Sequence, residues 1–340
     1  DGIRDDLVTG VQTCALPILT TRMDFRIFID GEAGTTGLKV AQRLQAHPHV
    51  QLLHIEARHR KESVARAALM AESDVTILCL PDDAAIEAVE LAKTIDTKLI
   101  DASSAHRTSA GWTYGFPELE PDQRLAIAAS VRISNPGCYP TGFLALARPL
   151  VLSGLLSDKA LLTVPAISGY SGGGKSMIAA YDDGKMPLAF SYGTLLKHKH
   201  LAEMTGHSGL KTPPIFMPSV AAFYAGMLVH IPIHADQFAS VINADMLYDL
   251  YASWYPGNGL VRMALPSANH AEVPPQLAAD ALAGQNHMEI FVFSDAAQRQ
   301  FWLIARLDNL GKGASGAAVQ NMKDRKSTRL NSSHQIISYA

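Results

Sequence analysis

The chain has few cysteines, little net charge and no long apolar run, and each shortage excludes a class of protein. Only 3 of its 340 residues are cysteine, too few for a disulfide framework, so a reducing cytoplasm is the expected compartment. The net charge of -3 lacks the basic excess of a nucleic-acid-binding protein. No apolar run approaches the roughly 18 residues that cross a bilayer. With 48% hydrophobic residues, the chain is expected to form two packed domains, without nucleic-acid or membrane partners.

The two ends of the chain differ in character from everything between them. Residues 1–23 and 326–340 resemble translated sequencing adapter and show no usable periodicity. We expect a non-native leader and a non-native tail, and exclude both from the fold prediction. A genuine disordered terminus is the alternative, and it leaves the functional expectations unchanged. Cys14 falls in the leader, which leaves Cys79 and Cys138 as the cysteines of interest.

The first half alternates short apolar strands with helical segments. Strands are predicted at 25–30, 50–55, 75–80 and 98–102, and helices at 38–46, 61–70 and 84–93. This alternation is typical of a parallel sheet with helices on both faces. The pattern therefore predicts an α/β fold that begins with a Rossmann-type dinucleotide-binding domain.

A glycine-rich turn joins the first predicted strand to the first predicted helix. It contains Gly31, Gly34, Thr35, Thr36 and Gly37. Glycines permit a tight turn, and the helix N-terminus that follows can face the pyrophosphate of a dinucleotide. We therefore predict that these five residues bind the cofactor. The GxxGxxG spacing only approximates the usual fingerprint, so a structural turn is the alternative.

Cations gather at the end of the second predicted strand. Arg58, Arg60 and Lys61 lie within four residues, just after Glu56. An acid at this position holds the ribose 2′-OH of NAD, whereas arginine accommodates the 2′-phosphate of NADP. The pattern favours NADP(H), with Arg58 and Arg60 as its ligands, over the alternative of a solvated charged turn.

The segment 135–141, Asn-Pro-Gly-Cys-Tyr-Pro-Thr, places Cys138 on a tight turn before a predicted helix at 140–152. Unpaired backbone N–H groups and the positive end of the helix favour a thiolate, which is the nucleophilic form of cysteine. We therefore predict that Cys138 is catalytic. The alternative is a buried structural cysteine, the interpretation that we give to Cys79.

The second half contains a glycine run and a histidine pair. A predicted strand at 160–167 leads into Gly169-Tyr-Ser-Gly-Gly-Gly-Lys-Ser176, which suits an anion or nicotinamide site. The run loosely matches a P-loop, but no acidic metal-binding strand follows it, so nucleotide hydrolysis is disfavoured. His198 is predicted to be the base toward Cys138, with His200 as the alternate. A histidine pair can also bind a metal, but two ligands at i and i+2 are weak evidence, and no metal is predicted.

The remaining elements predict an α+β domain. The chain is β-rich at 214–233, helical at 235–254, and again β-rich at 288–293 and 301–306. Residues 311–322 are rich in small side chains and are predicted to form a closing helix that packs back onto the nucleotide domain. Arg107 follows a strand end, where ligands gather in parallel sheets, and its guanidinium matches a phosphate or a carboxylate. A structural ion pair is the alternative for Arg107.

Five strings together resemble the N-acetyl-gamma-glutamyl-phosphate reductase family, in its shorter, type 2 form. They are Gly31–Gly37, Asp101–Arg107, Gly115–Glu118, Ser134–Thr141 and Asp308–Gln320, and the resemblance covers about residues 24–322. It implies NADPH, an acyl-phosphate substrate and a cysteine thioester. It also implies that His198-Lys-His-Leu-Ala-Glu203 corresponds to the family's HRHxxE element, although Lys199 replaces the commoner arginine.

The resemblance further implies an architecture and a set of ligands. The expected fold is that of the glyceraldehyde-phosphate and aspartate-semialdehyde dehydrogenases, with an NADP-binding domain at 24–137, completed by 311–322, and a substrate and dimerisation domain at 138–310. Further residues are expected at the cofactor, namely Ser103, Asn135, Pro136, Gly172 and Asn309, and at the substrate, namely Arg107, Ser168 and Glu203. A dimer or tetramer is expected.

The expected reaction is reductive dephosphorylation of N-acetyl-glutamyl 5-phosphate to the 5-semialdehyde. Two alternatives stay open: a related acyl-phosphate reductase, acting on the aspartate-semialdehyde or lysine pathway, and a non-catalytic dinucleotide-binding sensor. A sensor has the same fold, because fold does not fix function, but it has no need of an activated thiol.

Overall fold

The computed structural model describes residues 25–257, 259–264, 276–297 and 299–330. They form two β-sheets, one of six strands from the first part of the chain and one of seven strands from the second. The predicted leader at 1–23 lies outside the described residues, as does 331–340 of the predicted tail. Residues 326–330 belong to the last helix. Within the described residues, no helix combines the length and the apolar character that crossing a bilayer requires.

The first sheet is parallel throughout, in the order β2-β1-β3-β4-β6-β5. Its strands are β1 (Phe25–Asp30), β2 (Val50–Leu53), β3 (Val75–Leu78), β4 (Lys98–Asp101), β5 (Thr113–Tyr114) and β6 (Arg132–Ser134). Its helices are α1 (Thr35–Gln45), α2 (Ser63–Glu72), α3 (Asp82–Leu91) and α4 (Gln123–Ala129). β1 is largely buried and β3 is wholly buried, and most of their residues are apolar, as expected of a parallel sheet covered on both faces.

The second sheet is mixed, in the order β11-β12-β13-β10-β7-β9-β8. Its strands are β7 (Thr163–Gly169), β8 (Ala189–Ser191), β9 (Ile215–Ala221), β10 (Met227–His234), β11 (Val261–Met263), β12 (Met288–Asp295) and β13 (Gln300–Leu307). Its helices are α5 (Cys138–Leu152), α6 (Gly174–Asp182), α7 (His200–Ser208) and α8 (Ala244–Trp254). Helix α5 is buried along almost its whole length and packs against β10 and β13, which places its first residue in the middle of the molecule.

The chain then returns to the first sheet. A π-helical turn, Gly311–Ser315, leads into α9 (Gly316–Leu330), which packs against α1 and α4. Ala318, Val319 and Met322 lie in the same apolar core as Ile27 and Ile77 of β1 and β3. The last helix therefore packs against the first sheet and its helices, and its assignment to the nucleotide domain stays a prediction.

The predicted fold class is confirmed, and most errors are in element boundaries. The helix predicted at 235–254 is wrong, because only a short 3₁₀ turn forms at Ala235–Gln237 and α8 begins at Ala244. Its start is fixed by Asn243, whose side chain accepts a hydrogen bond of 2.9 Å from the backbone N–H of Met246. The domain boundary at 137/138 stays a prediction.

Candidate active site

A cavity of about 430 Å³ lies between the two sheets. The first part of the chain contributes the start of α1 and the segment between β6 and α5. The second part contributes the turn before α6, the start of α7 and the π-helical turn. No acidic side chain lines the cavity among the described residues, whereas Arg107 and Lys199 do. The cavity therefore suits an anionic ligand.

Cys138 is the first residue of α5 and lines this cavity. The prediction that the helix begins at Pro140 is wrong by two residues, because Gly137 is the N-cap. The expected thiolate is also not favoured: burial raises the pKa of Cys138 to about 11, and this outweighs the opposing effects of Arg107 and of the backbone N–H groups of Tyr139 and Cys138. Cys138 is thus a neutral thiol at neutral pH, and any reaction through its thiolate needs a base.

Glu203, on α7, holds the surroundings of Cys138 in place. It is 1% exposed, and its carboxylate accepts hydrogen bonds from the Tyr114 hydroxyl at 2.6 Å, the Gly137 N–H at 2.7 Å and Arg107 at 3.0 Å. It does not line the cavity. The prediction that Glu203 contacts substrate is therefore not supported by its position: its oxygens face protein donors, and they orient Arg107 and the helix start.

Arg107 lines the cavity with a guanidinium that is fixed on several sides. Its Nε donates to the Asn135 carbonyl at 3.0 Å, and one terminal nitrogen donates to the Ala102 carbonyl at 3.2 Å. The ion pair with Glu203 agrees with a structural role, the alternative that the sequence leaves open for Arg107. The Arg107 side chain nevertheless also borders the cavity beside Cys138. A Cβ placed on Gly137 would lie 2.6 Å from Nη1 of Arg107.

The two histidines both line the cavity, but in different settings. His200 is 7% exposed, and its Nε2 would lie 2.7 Å from a Cβ on Gly137, the residue before the nucleophile. Its Nδ1 is buried without a hydrogen-bond partner among the described residues. His198 is more exposed, and its Nδ1 accepts a bond of 3.2 Å from the His200 backbone N–H. Burial lowers the pKa of both, and that of His200 falls well below 6.5, so His200 is a neutral imidazole at neutral pH.

The glycine turn after β1 has the geometry of a phosphate cradle. Gly31 has φ +89°, and a Cβ there would lie 2.4 Å from the Cys79 carbonyl oxygen. A Cβ on Gly37 would lie 2.4 Å from the Gly31 carbonyl oxygen. Only glycine permits this close approach of backbone to backbone. Thr35 and Thr36, in the first turn of α1, line the cavity, so the residues present fit the pyrophosphate of a dinucleotide.

The opposite wall is formed by the glycine run before α6. Gly172 lines the cavity, next to Asn309, whose side chain accepts from the Gly226 N–H at 2.8 Å and donates to Ser171 at 3.0 Å. Ser168 lies at the end of β7 and also lines the cavity. The P-loop alternative finds no support here, because no carboxylate lines the cavity among the described residues to hold a phosphate-bound metal.

Seven predicted ligands are absent from the cavity wall, among them Gly31, Gly34 and Gly37 of the glycine turn. Glu203 and Ser103 do not line the cavity, and Ser103 is turned toward Asp101, to which its hydroxyl donates at 2.7 Å. Arg58 and Arg60 are also absent from the cavity wall. The Arg58 side chain is 74% exposed and pairs with Glu56 at 2.9 Å, which agrees with the alternative of a solvated charged turn. The predicted Asn135 and Pro136, by contrast, do line the cavity.

The cavity also contains residues that the sequence did not single out. Tyr139 and Tyr192 line it beside Cys138 and the histidines, and Gly313 packs against the nucleophile, where a Cβ would lie 2.8 Å from Cβ of Cys138. Two sequence features could have indicated them: Tyr139 directly follows the cysteine, and Gly313 lies in the Gly-Lys-Gly run of a string that resembles the family. Nothing in the sequence indicated Tyr192.

Comparison with known proteins agrees with this geometry. Residues 26–127 match a family model described as "Semialdehyde dehydrogenase, NAD binding domain", and residues 138–309 match "Semialdehyde dehydrogenase, dimerisation domain". The chain is 47% identical over 307 residues to the N-acetyl-gamma-glutamyl-phosphate reductase of Trichormus variabilis, covering 87% of this chain and 95% of that protein. The chain belongs to the N-acetyl-gamma-glutamyl-phosphate reductase family.

A second relative and two solved structures extend the comparison. The N-acetyl-gamma-glutamyl-phosphate reductase of Rhizobium johnstonii is 44% identical over 303 residues, covering 87% of this chain and 97% of that protein. The aspartate semialdehyde dehydrogenase II of Vibrio cholerae, complexed with ASA, superposes with a TM-score of 0.66 over 92% of this chain and 99% of that one, at 14% identity. The Candida albicans aspartate semialdehyde dehydrogenase with NADP superposes with a TM-score of 0.63. The match covers 90% of this chain and 99% of that one, also at 14% identity. These two likenesses show the fold alone.

Proposed function

We propose that the chain is an NADPH-dependent N-acetyl-gamma-glutamyl-phosphate reductase, which converts N-acetyl-glutamyl 5-phosphate to the 5-semialdehyde and phosphate. The observation that carries this proposal is the position of Cys138, on the first turn of a buried helix, in a cavity that also borders the glycine turn. The family to which the chain belongs supplies the substrate class. NADPH, when bound, supplies the hydride that reduces the acyl group.

Cys138 is proposed to form the covalent intermediate. Its sulfur attacks the acyl carbon, the bond from that carbon to the phosphate oxygen breaks, and a thioester remains. After reduction the thiohemiacetal carbon releases the sulfur, and the aldehyde leaves. Covalent catalysis divides one difficult step into two easier ones. The backbone N–H groups of Cys138 and Tyr139, which face the sulfur, stabilise the thiolate that departs.

A histidine is proposed to carry the proton, since burial keeps the thiol neutral. The base takes the thiol proton and passes it to the leaving phosphate oxygen. After reduction and release of the aldehyde, the same histidine delivers a proton from solvent to the thiolate. The sequence favoured His198. The setting of His200, which is buried beside Gly137 with one unpaired ring nitrogen, favours His200 instead. His198 is then proposed to support the segment from which α7 begins.

Arg107 is proposed to bind an anionic group of the substrate. It is the buried cation of the cavity wall, and Glu203 and the two carbonyl acceptors hold its guanidinium at a fixed angle. A preoriented planar donor recognises a carboxylate or a phosphate with little loss of side-chain entropy. Arg58 and Arg60 are proposed, as in the sequence analysis, to bind the 2′-phosphate at the end of β2.

The test of the reductase proposal is the substitution Cys138→Ser. It should lower turnover by about a thousandfold or more, the loss typical of a removed nucleophile, while NADPH still binds. The assay should compare N-acetyl-glutamyl phosphate with aspartyl phosphate, because a preference for the latter would assign the chain to the aspartate-semialdehyde reaction. Near-normal turnover of Cys138→Ser would remove the cysteine from the mechanism.

We also propose that the chain forms a homodimer through one face of the second sheet. Helices α5 and α8 pack on the other face of this sheet. The outer face leaves large apolar side chains in solvent, among them Met217 at 49% and Trp302 at 49% exposed. Large exposed apolar patches mark interaction surfaces. The "dimerisation domain" description of the matched family model supports this assignment.

A further inference from the structure

A smaller cavity of about 270 Å³ adjoins the one that holds Cys138. Thr35, Thr36, Ala102 and Gly174 line both cavities, which are therefore neighbours. The smaller cavity reaches from the glycine turn toward the other part of the chain, which contributes Lys175. Lys175 is therefore placed opposite the start of α1, across the boundary between the two sheets.

The charges around this space are all of one sign. Helices α1 and α6 both direct their first turns at it, and neither has an acidic residue in that turn. No aspartate or glutamate lines the smaller cavity among the described residues. Each helix N-terminus carries unpaired N–H groups and a partial positive charge. An anion placed here would meet two helix ends and an ammonium group.

Lys175 has no competing partner in the part of the chain that the structure describes, since no ion pair or hydrogen bond engages its side chain. Lys185 lies just beyond the same helix and differs from Lys175 in having an ion-pair partner. Lys185 is also exposed, but it pairs with Asp183 at 2.6 Å. Of the two lysines, only Lys175 combines an open position on the cavity wall with a free ammonium group.

We propose that Lys175, on the substrate domain, binds the pyrophosphate of NADP(H). This rests on the proposed function, which places the dinucleotide between the glycine turn and Cys138. The pyrophosphate is the anionic centre of the molecule, and Thr35 and Thr36 approach it from the nucleotide domain. Lys175 approaches it from the opposite wall, so that both domains contribute to the affinity for one group.

This role predicts a pattern that separates Lys175 from the arginines at the end of β2. The pyrophosphate is common to NADPH and NADH, whereas the 2′-phosphate is present only in NADPH. Lys175→Met should weaken the binding of NADPH and of NADH by the same factor, about tenfold, as expected for the loss of one charge-assisted contact. Arg58→Ala with Arg60→Ala should weaken NADPH selectively.

The experiment measures the dissociation constants of NADPH and NADH by nucleotide fluorescence, at two salt concentrations. Wild type, Lys175→Met, Lys175→Arg and the matched control Lys185→Met are compared, with melting temperatures to confirm folding. We expect parallel losses in Lys175→Met, a smaller dependence of its affinity on salt, partial recovery in Lys175→Arg, and no change in Lys185→Met.

Three outcomes would overturn the assignment. Unchanged dissociation constants in Lys175→Met would exclude contact with the cofactor. A loss confined to NADPH would move Lys175 to the 2′-phosphate. A rise in the acyl-phosphate KM with unchanged cofactor binding would move it to the substrate. Failure of the wild type to bind either nucleotide would instead contradict the proposed function, and so the two failures are distinguishable.

Discussion

At the scale of single residues, burial decides the protonation of Cys138 and His200. It raises the pKa of Cys138 to about 11 and lowers that of His200 well below 6.5. Both groups are therefore neutral near pH 7. A thiol and an imidazole in this state do not form a resting ion pair. In the proposed reaction the proton would therefore leave Cys138 only as the sulfur attacks.

The choice between the two histidines can be tested by substitution. We expect His200→Asn to lower kcat by about a hundred- to ten-thousandfold, the range of lost general acid–base catalysis, with little change in NADPH affinity. A base acts in its neutral form, and the pKa of His200 is lowered, so the acid limb of the kcat/KM profile should lie below pH 6.5. That limb should disappear in His200→Asn. His198→Asn serves as the matched control and should retain most of its turnover and its acid limb. The reverse result would return the role to His198.

Sequence could identify these residues by type but could not show where their side chains point. Cys138, Arg107 and the histidine pair lie in the cavity, and each belonged to a string with a chemical reason to attract attention. Glu203 is assigned to substrate only through the family resemblance. Its environment is decided by the Tyr114 hydroxyl and the Gly137 N–H, which are 89 and 66 residues away along the chain. Contacts of that separation leave no local pattern.

At the scale of elements, the π-helical turn Gly311–Ser315 bounds the space beside the nucleophile. Gly313 lies against Cys138, and a Cβ there would come within 2.8 Å of Cβ of Cys138 and 3.1 Å of the Asp308 carbonyl oxygen. Neither atom is the end of a flexible side chain. The turn is held by Lys312, which is 1% exposed and whose ammonium contacts Glu118 at 2.6 Å and Gln320 at 2.7 Å.

Substitution of Gly313 should therefore affect chemistry more than folding. We expect Gly313→Ala to lower kcat by about ten- to a hundredfold, because displacing the nucleophile by a fraction of an ångström spoils its approach to the acyl carbon. Gly206→Ala is the matched control, since a Cβ there meets only Thr108, at 3.8 Å. It should leave kcat within about twofold and stabilise the protein by about 0.5–1 kcal/mol, as is usual for alanine in a helix. Urea unfolding and steady-state kinetics on both variants decide this, and normal kcat in Gly313→Ala would contradict it.

The elements that sequence predicted best were those with strong periodicity. The alternation of strands and helices from 25 to 102 is predictable from sequence, because three of the four strands are largely buried and apolar. The short strands β5 and β6 were missed, since two or three residues cannot show a period. The prediction of a helix at 235–254 is wrong for a local reason. The apolar pattern is continuous through this segment, but α8 begins only after its N-cap residue, Asn243.

At the scale of the whole molecule, the proposed dimer makes the outer sheet face a site of assembly. Trp302 lies on this face, where its indole N–H donates to His230 at 3.1 Å. Trp302→Lys would place a charge in the interface, and desolvating an unpaired charge is costly. We expect wild type to sediment as a dimer and Trp302→Lys to shift to monomer at the same concentration. Leu125→Lys is the matched control, since Leu125 is 69% exposed on α4, in the other domain. A dimer that persists in Trp302→Lys would place the interface elsewhere.

The return of α9 to the first domain has a consequence for the order of synthesis. Domains near the N-terminus usually fold while the ribosome is still extending the chain. Here the core that contains Ile27 and Ile77 is finished only by Ala318, Val319 and Met322, some three hundred residues later. Until those residues emerge, this core lacks three of its apolar side chains. The first strand of the chain therefore reaches its complete packing only after almost the whole chain has been synthesised.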